Sequence, residues 1–356
     1  MSDFRITNCH IHTFTTKHTP LYFPYRVVAI FRLMPKLVQF LRWVFSFLPW
    51  DNVYQFLVRM ENFHRTGNRG TQEDVFREVR HYYPGDTRFV VLPMDMELIG
   101  HGPVSRGIEK QHDELAELAA KFPENLIPFA TVFPDRPNAV DEFTRCIDDL
   151  GFRGLKLYNK LGFAPDHRVL MTDVYPICVE RDLPVMVHCS RGGVYGKGWS
   201  QEDCDRVTAP EAWKPVLGAF PNLRICLAHF GGDRDWHDYI DTGFDPDKPE
   251  QRKKNWVWQI CDMIRSGDYP GLYTDISYTM FKFSEYSALL RLLLEDDTLR
   301  EKVLFGSDFY MTRQEQLSEK AVSIRLRDAL GEVCFRQIAE TNPGVWLGKQ
   351  DQPPTA

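Results

Sequence analysis

No pair among the eight cysteines, at positions 9, 146, 178, 189, 204, 226, 261 and 334, has CxxC spacing. Several, such as Cys189 and Cys226, lie inside apolar runs, so reduced and buried thiols are expected in place of disulfides or a cysteine zinc site. The opening MSDFRITNCHIHTF has no charged start leading into an apolar stretch. No secretory leader is therefore expected, and a cytoplasmic location is the expectation. There is no internal repeat and no low-complexity tract. There is no basic excess either. The chain has 43 Lys+Arg against 49 Asp+Glu, a net charge of −6, which argues against nucleic acid as the main partner. Long clean apolar runs are also missing. Residues 27–50 (VVAIFRLMPKLVQFLRWVFSFLPW) come nearest, but Arg32, Lys36, Arg42, Pro35 and Pro49 interrupt them. The run falls short of the roughly 20 apolar residues a spanning helix needs, so no transmembrane span is expected. A buried helix, a lid, an oligomer contact or an interfacial helix remain.

What is present is an ordinary globular composition over 356 residues, with 43% hydrophobic and 26% charged. A chain of this length buries about three quarters of its unfolded surface without disulfide staples. Eight short runs of buried-strand length recur: RITNCHIH (5–12), RFVVLPM (88–94), LIPFATV (126–132), FRGLKLY (152–158), PVMVHC (184–189), LRICLAH (223–229), GLYTDIS (271–277) and KVLFGSD (302–308). Amphipathic stretches lie between them, among them 109–122, 138–150, 169–181, 209–220, 256–266, 284–294 and 315–330. Strands alternating with helices imply βαβ units and a parallel sheet. Eight of them predict an α/β fold, a (β/α)8 TIM barrel with a helical insertion after strand 1. The alternative, an open doubly wound sheet, needs a glycine-rich phosphate turn after the first strand, and CHIHTF is not one. The expected organisation is one domain over 1–348, with 15–75 as a lid or oligomer-contact insertion and 349–356 as a loose tail. Two connections, 13–87 and 231–270, are long for a minimal barrel. Both start at C-terminal strand ends, the face where barrels place their sites.

The histidines fall on that face. His10 and His12 close the first strand, His188 the fifth and His229 the sixth, and Asp308 closes the eighth. Residues two apart on a strand share a face, so His10 and His12 are expected to enter the barrel while Cys9 and Ile11 pack outward. Neutral imidazoles with a carboxylate suit Zn²⁺, Fe²⁺ or Mn²⁺. Taken singly, each residue has a bland role. An HxH pair can be a satisfied core pair, and the Asp of GSDF can cap the following helix. Their joint placement on one barrel face argues for a site.

These residues, with FRGLKLY, VHC, AHFGG and FGSDF, resemble the amidohydrolase superfamily, and more narrowly its amidohydrolase-2 branch of hydrolases and non-oxidative decarboxylases. The resemblance runs from His10 to about Leu347, except around 15–75. It implies that His10, His12, His188 and Asp308 ligate one divalent metal, zinc first, with iron or manganese as alternatives. It implies that His229 acts beside the metal and that Asp308 moves the proton of a metal-activated water. Binuclear relatives add a bridging carboxylated lysine on strand 4. Lys156 stands there, but a mononuclear site is preferred, with Lys156 facing a carboxylate or a substrate anion.

Substrate selection is expected in the loops. Arg191, Arg234 and Arg313 are candidate carboxylate clamps, since the guanidinium fork matches a carboxylate. Tyr22, Phe23, Tyr25, Trp199 and Trp236 hint at a flat or aromatic substrate. The leading expectation is a metal-dependent hydrolase of an amide, ester or lactone bond in a small substrate that bears a carboxylate or an aromatic ring. The alternatives are a decarboxylase of an aromatic or unsaturated carboxylate, and a non-catalytic barrel that binds a partner or membrane surface through 27–50. A homo-oligomer is expected.

Overall fold

The computed structural model describes residues 4–23, 29, 32, 34–242, 248–277, 283–314 and 318–348. Residues 27, 28, 30, 31 and 33 of the apolar run, Tyr25, and the tail from 349 lie outside them.

Eight parallel strands lie where the short runs predict them. They are β1 (Thr7–Ile11), β2 (Arg88–Val91), β3 (Leu126–Pro128 and Ala130–Thr131), β4 (Leu155–Leu157), β5 (Val185–Val187), β6 (Ile225–Leu227), β7 (Leu272–Asp275) and β8 (Val303–Leu304). Each pairs with the next in chain order. β3 changes partner at Phe129, whose N–H goes back to Val91 while that of Ala130 goes on to Gly154. The ring closes where Cys9 N–H donates to the Phe305 carbonyl at 2.8 Å and Asp308 N–H to the His10 carbonyl at 2.9 Å.

Side-chain alternation divides the apolar residues into two clusters. Val91, Leu155, Val185, Val187, Ile225 and Leu227 pack outward among the helices. Their neighbours Val90, Ile127, Met186, Cys226, Tyr273 and Leu304 fill the barrel. Trp346 and Leu347, from the helix Asn342–Leu347, join the inner set, with the Trp346 and Phe129 rings 5.6 Å apart. The barrel is therefore a packed core closed at its lower end.

Cys9 corrects one expectation. It lies in the inner cluster, although Ile11 packs outward as predicted. The register shifts between Asn8 and Ile11, so two residues of β1 oppose one of β2. Such a bulge re-aims side chains, and here it turns Cys9 inward without costing His10 its place.

The first insertion forms a hairpin of two helices, α1 (Pro35–Phe45) and α2 (Asp51–Gly67). Val38 and Leu57 are buried between them, with Leu41, Phe45 and Met60 alongside. The second insertion carries helices Asp233–Thr242, Pro249–Lys254 and Trp256–Ser266. All eight cysteines are free thiols, and seven are buried. Among the described residues no helix is long and apolar enough to cross a membrane.

One polar network joins this outer layer to β3. His112 donates from Nδ1 to Glu142 at 2.7 Å and accepts the Thr131 N–H at Nε2. Arg145 donates to both oxygens of Glu142. Burial pushes the Glu142 carboxyl up, but the His112 and Arg145 hydrogen bonds outweigh it and hold the group at about 2, below its ordinary 4.5. A depressed carboxyl stabilises the fold above its unfolded value and loses that contribution as pH falls. Wild type should melt above Glu142→Gln at neutral pH, and the gap should close between about pH 4.5 and 2. Melting curves across that range check this.

Candidate metal centre and active-site cavity

The upper end of the barrel gathers the histidines. His10 Nδ1 donates to Asp275 Oδ2 at 2.8 Å, and His12 Nδ1 donates to the Leu92 carbonyl at 2.6 Å. A carboxylate and a carbonyl can only accept, so both rings carry their proton on Nδ1 and present a lone pair at Nε2. His10 Nε2 is buried with no partner. His12 Nε2 stands 4.0 Å from Asp308. His10, His12 and Asp308 bring their ligand atoms within 4.8 Å of one another. Burial, with the nearby Lys156 charge adding to it, keeps both imidazoles neutral and takes His12 down to about 3. Neutral imidazoles are what a cation needs as ligands.

His188 and His229 form a second pair, with His229 Nε2 and His188 Nδ1 3.1 Å apart. The Ser277 carbonyl accepts from His229 Nδ1, so His229 accepts at Nε2 and His188 donates from Nδ1. Burial holds His188 neutral. It then has no second proton for the Gly192 carbonyl, 3.1 Å from its Nε2. The Tyr158 ring stacks on His188 at 4.1 Å between centroids.

Asp275 ties the two pairs together. One oxygen takes His10, and the other takes the backbone N–H groups of His229 and Ser277, both within 3.0 Å. Lys156 lies beneath, fully buried, with no hydrogen-bond partner at Nζ. Burial lowers its ammonium to about 8, and burial raises the Asp308 carboxyl to about 7. Asp308 does not cap its helix through the side chain. Its backbone carbonyl accepts from Met311 and Thr312, and its carboxylate is left for the site.

Two of these residues are held in the left-handed region, His229 at φ +67° and Asp308 at φ +52°. Such backbone costs about 1–3 kcal/mol per non-glycine residue and collects at functional sites. After His229 the chain stays left-handed through Phe230, Gly231 and Gly232. A Cβ on Gly232 would lie 2.2 Å from Ser190 Oγ, which explains the glycine in AHFGG. Gly306 is constrained by packing instead. A Cβ there would sit 2.7 Å from His10 Cβ and 3.1 Å from Ser277 Cβ. Gly306→Ala should therefore displace His10 and cut turnover by about 10²-fold, as an ångström of misplacement does. It should also lower bound metal per chain, which elemental analysis measures.

Above the histidines opens a cavity of about 430 Å³. His12, His188, His229 and Asp308 line it, and its walls are mainly apolar and aromatic, with Phe14, Phe23, Tyr158 and Tyr310 among them. Arg32, Met60, Phe63 and His64 of the first insertion complete it. Arg32 spends its guanidinium on the carbonyls of Thr16 and Pro20. His64 is buried with neither ring nitrogen partnered, and burial lowers it to about 4.

The expected substrate residues fare differently. Arg191 is not a free clamp. It bonds Asp235 at 2.8 Å and Asp205 at 2.6 Å and lies over the Trp256 ring, bracing the β5 loop against the second insertion. Arg234 is exposed on its helix, away from the cavity lining. Trp236 is fully buried, donates to the Phe230 carbonyl and packs on Tyr286. The Arg313 side chain lies outside the described residues. Of the aromatic set, Phe23 reaches the cavity wall.

A family model described as Amidohydrolase, of the amidohydrolase-2 branch, matches residues 9–349. The chain belongs to this family. Solved structures similar to this amidohydrolase include an uncharacterized TIM-barrel protein from Bordetella bronchiseptica, at 15% identity over 98% of this chain and 100% of that one, TM-score 0.55. A probable 2-pyrone-4,6-dicarboxylic acid hydrolase from Acinetobacter baumannii, with citric acid bound, matches at 12% over 97% and 99%, TM-score 0.54. The 5-carboxyvanillate decarboxylase from Sphingomonas paucimobilis matches at 16% over 97% and 99%, TM-score 0.51. At these identities the likeness is one of fold. The barrel thus carries both hydrolases and decarboxylases, and the chain is an enzyme of this superfamily.

Proposed function

We propose that this amidohydrolase is a metal-dependent hydrolase that cleaves a C–N or C–O bond of a small, flat, largely apolar substrate. The observation that carries the reading is the pairing of a metal-ready triad with a proton carrier. His10 and His12 present lone pairs beside Asp308, whose carboxyl burial holds near 7. The orphaned His10 Nε2, backed by Asp275 on its other nitrogen, has the carboxylate–histidine support that metal ligands use. We assign His10, His12 and Asp308 to one divalent ion, with His188 as the next donor. Such an ion supplies a water of lowered pKa and polarises a carbonyl. Zinc, iron and manganese all suit this donor set.

With the ion bound, Asp308 would be the carboxylate placed to take a proton from water and return it to the leaving group. His229, whose proton is held toward Ser277, accepts at Nε2 and does not donate there. Lys156 supports the anionic oxygens from below. Its burial also leaves open a carboxylated lysine and a second ion. The insertion over 15–75 acts as a lid, with Phe63 and Met60 excluding water. The substrate needs an apolar body to fill these walls. A clamp by Arg191 or Arg234 is not part of this reading.

A decarboxylase is the second reading, and the apolar lining favours it. A carboxylate placed among Phe14, Met94 and Tyr310 loses hydration, which favours release of neutral CO₂. Of the similar structures, one is named as a 5-carboxyvanillate decarboxylase and one as a probable 2-pyrone-4,6-dicarboxylic acid hydrolase, so a carboxylated ring is a substrate to test under either reading. Turnover of aryl esters, lactones, anilides and hydroxybenzoates in ¹⁸O-labelled water separates the two. Label in the new carboxyl supports the hydrolase. CO₂ release with no label in the organic product overturns it in favour of the decarboxylase.

A further inference from the structure

Two residues that the first insertion adds to the cavity wall carry polar groups the fold does not use up. His64 stands in the last turn of α2, only 6% exposed, and neither of its ring nitrogens has a hydrogen-bond partner. Buried polar groups are ordinarily paired. The other buried imidazoles His10, His12 and His112 each bond a carboxylate or a carbonyl. His64 does not, and it faces the cavity.

Arg32 lines the cavity beside it, and the Arg32 charge adds to burial in holding His64 neutral. Among the described residues Arg32 bonds only neutral oxygens, the carbonyls of Thr16, Thr19 and Pro20 and the Thr19 hydroxyl. No carboxylate offsets its charge there, whereas Arg136, Arg145 and Arg191 each bond two. A wall of rings joins this corner to the histidines. His12 meets Phe14 at 5.5 Å, Phe14 stacks on Tyr310 at 4.7 Å, and Tyr310 meets Phe63 at 5.6 Å, next to His64. One end of the cavity is therefore ready for a metal, the middle is apolar, and the other end holds a fixed positive charge beside an unpartnered imidazole.

We propose that His64 and Arg32 select the substrate by a carboxylate at the end away from its reacting bond, with His64 donating an N–H to it and Arg32 balancing its charge. This deepens the proposed function and rests on it for the place of the reacting bond. A neutral imidazole still has one N–H to give. A hydrogen bond to a charged oxygen is stronger than one to a neutral oxygen. The low dielectric of an apolar cavity makes an unbalanced guanidinium attract an anion strongly. Selection then resides in the insertion and not in the loops that carry Arg191 and Arg234.

Calorimetric titration of Zn²⁺-loaded protein with benzoate, 3-hydroxybenzoate, isophthalate and terephthalate tests this. In wild type, at least one dicarboxylate should bind about tenfold to a hundredfold more tightly than benzoate, the worth of a hydrogen bond to a charged group. 3-Hydroxybenzoate should gain less. His64→Phe should remove most of the dicarboxylate gain and leave benzoate binding and zinc content unchanged. His64→Gln, which keeps an N–H, should retain part of it. Arg32→Met should lose it as well, with melting curves showing whether the insertion stays folded. Ligand-free His64→Phe should melt no lower than wild type, because it loses no hydrogen bond. Dicarboxylates that bind wild type no better than benzoate overturn the inference, and so does a gain that survives His64→Phe. Zinc content and the labelled-water experiment report separately on the hydrolase reading, so either can fail alone.

Discussion

Asp308→Asn is expected to lower turnover by about 10²–10⁴-fold, the worth of a positioned proton carrier, without unfolding the barrel. Asparagine is among the residues that tolerate the left-handed region, so the +52° backbone at 308 survives the change. The backbone N–H still donates to the His10 carbonyl, and the barrel seam stays closed. Burial raises the wild-type carboxyl from 3.8 to about 7. A raised carboxyl costs stability as pH climbs through that interval. The uncharged amide avoids the cost, so metal-stripped Asp308→Asn should melt no lower than stripped wild type at neutral pH. Turnover on the substrate found in labelled water, together with melting curves, checks both halves. Activity within a few fold of wild type would remove Asp308 from the chemistry.

The second large effect concerns the ion. Protein purified without chelator should carry about one divalent ion per chain, and chelation should lower its melting temperature. An ion present at a thousandfold over its dissociation constant stabilises a fold by about 4 kcal/mol. Asp275→Asn should weaken binding by 10–100-fold although residue 275 is not assigned as a ligand. Asp275 accepts from His10, from Ser277 and from the His229 N–H, and the amide offers one acceptor oxygen where the carboxylate offers two. Calorimetric titration of stripped protein with Zn²⁺ or Mn²⁺ measures this. Protein that carries no ion and melts unchanged in chelator would overturn the centre.

Much of this was legible in the sequence because strand ends are. The eight short runs predict the eight strands, and the tips of four of them name His10, His12, His188, His229 and Asp308. Asp275 was legible by the same logic, since GLYTDIS ends on the same barrel face, but an acidic residue in a strand reads as ordinary without its histidine partner. His64 left no signal. It lies one helical turn from Met60 in a segment whose place over the cavity follows from tertiary packing. Cys9 was misplaced because strict alternation knows nothing of a bulge. The arginines misled for an electrostatic reason. A guanidinium near a site takes whatever carboxylate is at hand, and Asp205 and Asp235 reach Arg191 first.

Trp346 and Leu347, packed with Phe129 under the strands, make the barrel a vessel with one mouth. On the assignment proposed above, with the ion at His10, His12 and Asp308, ion, substrate and product would share that opening with the ion deepest. Entry would then be ordered, the ion first. A bound substrate or product would be the stopper that keeps the ion from exchanging with solvent.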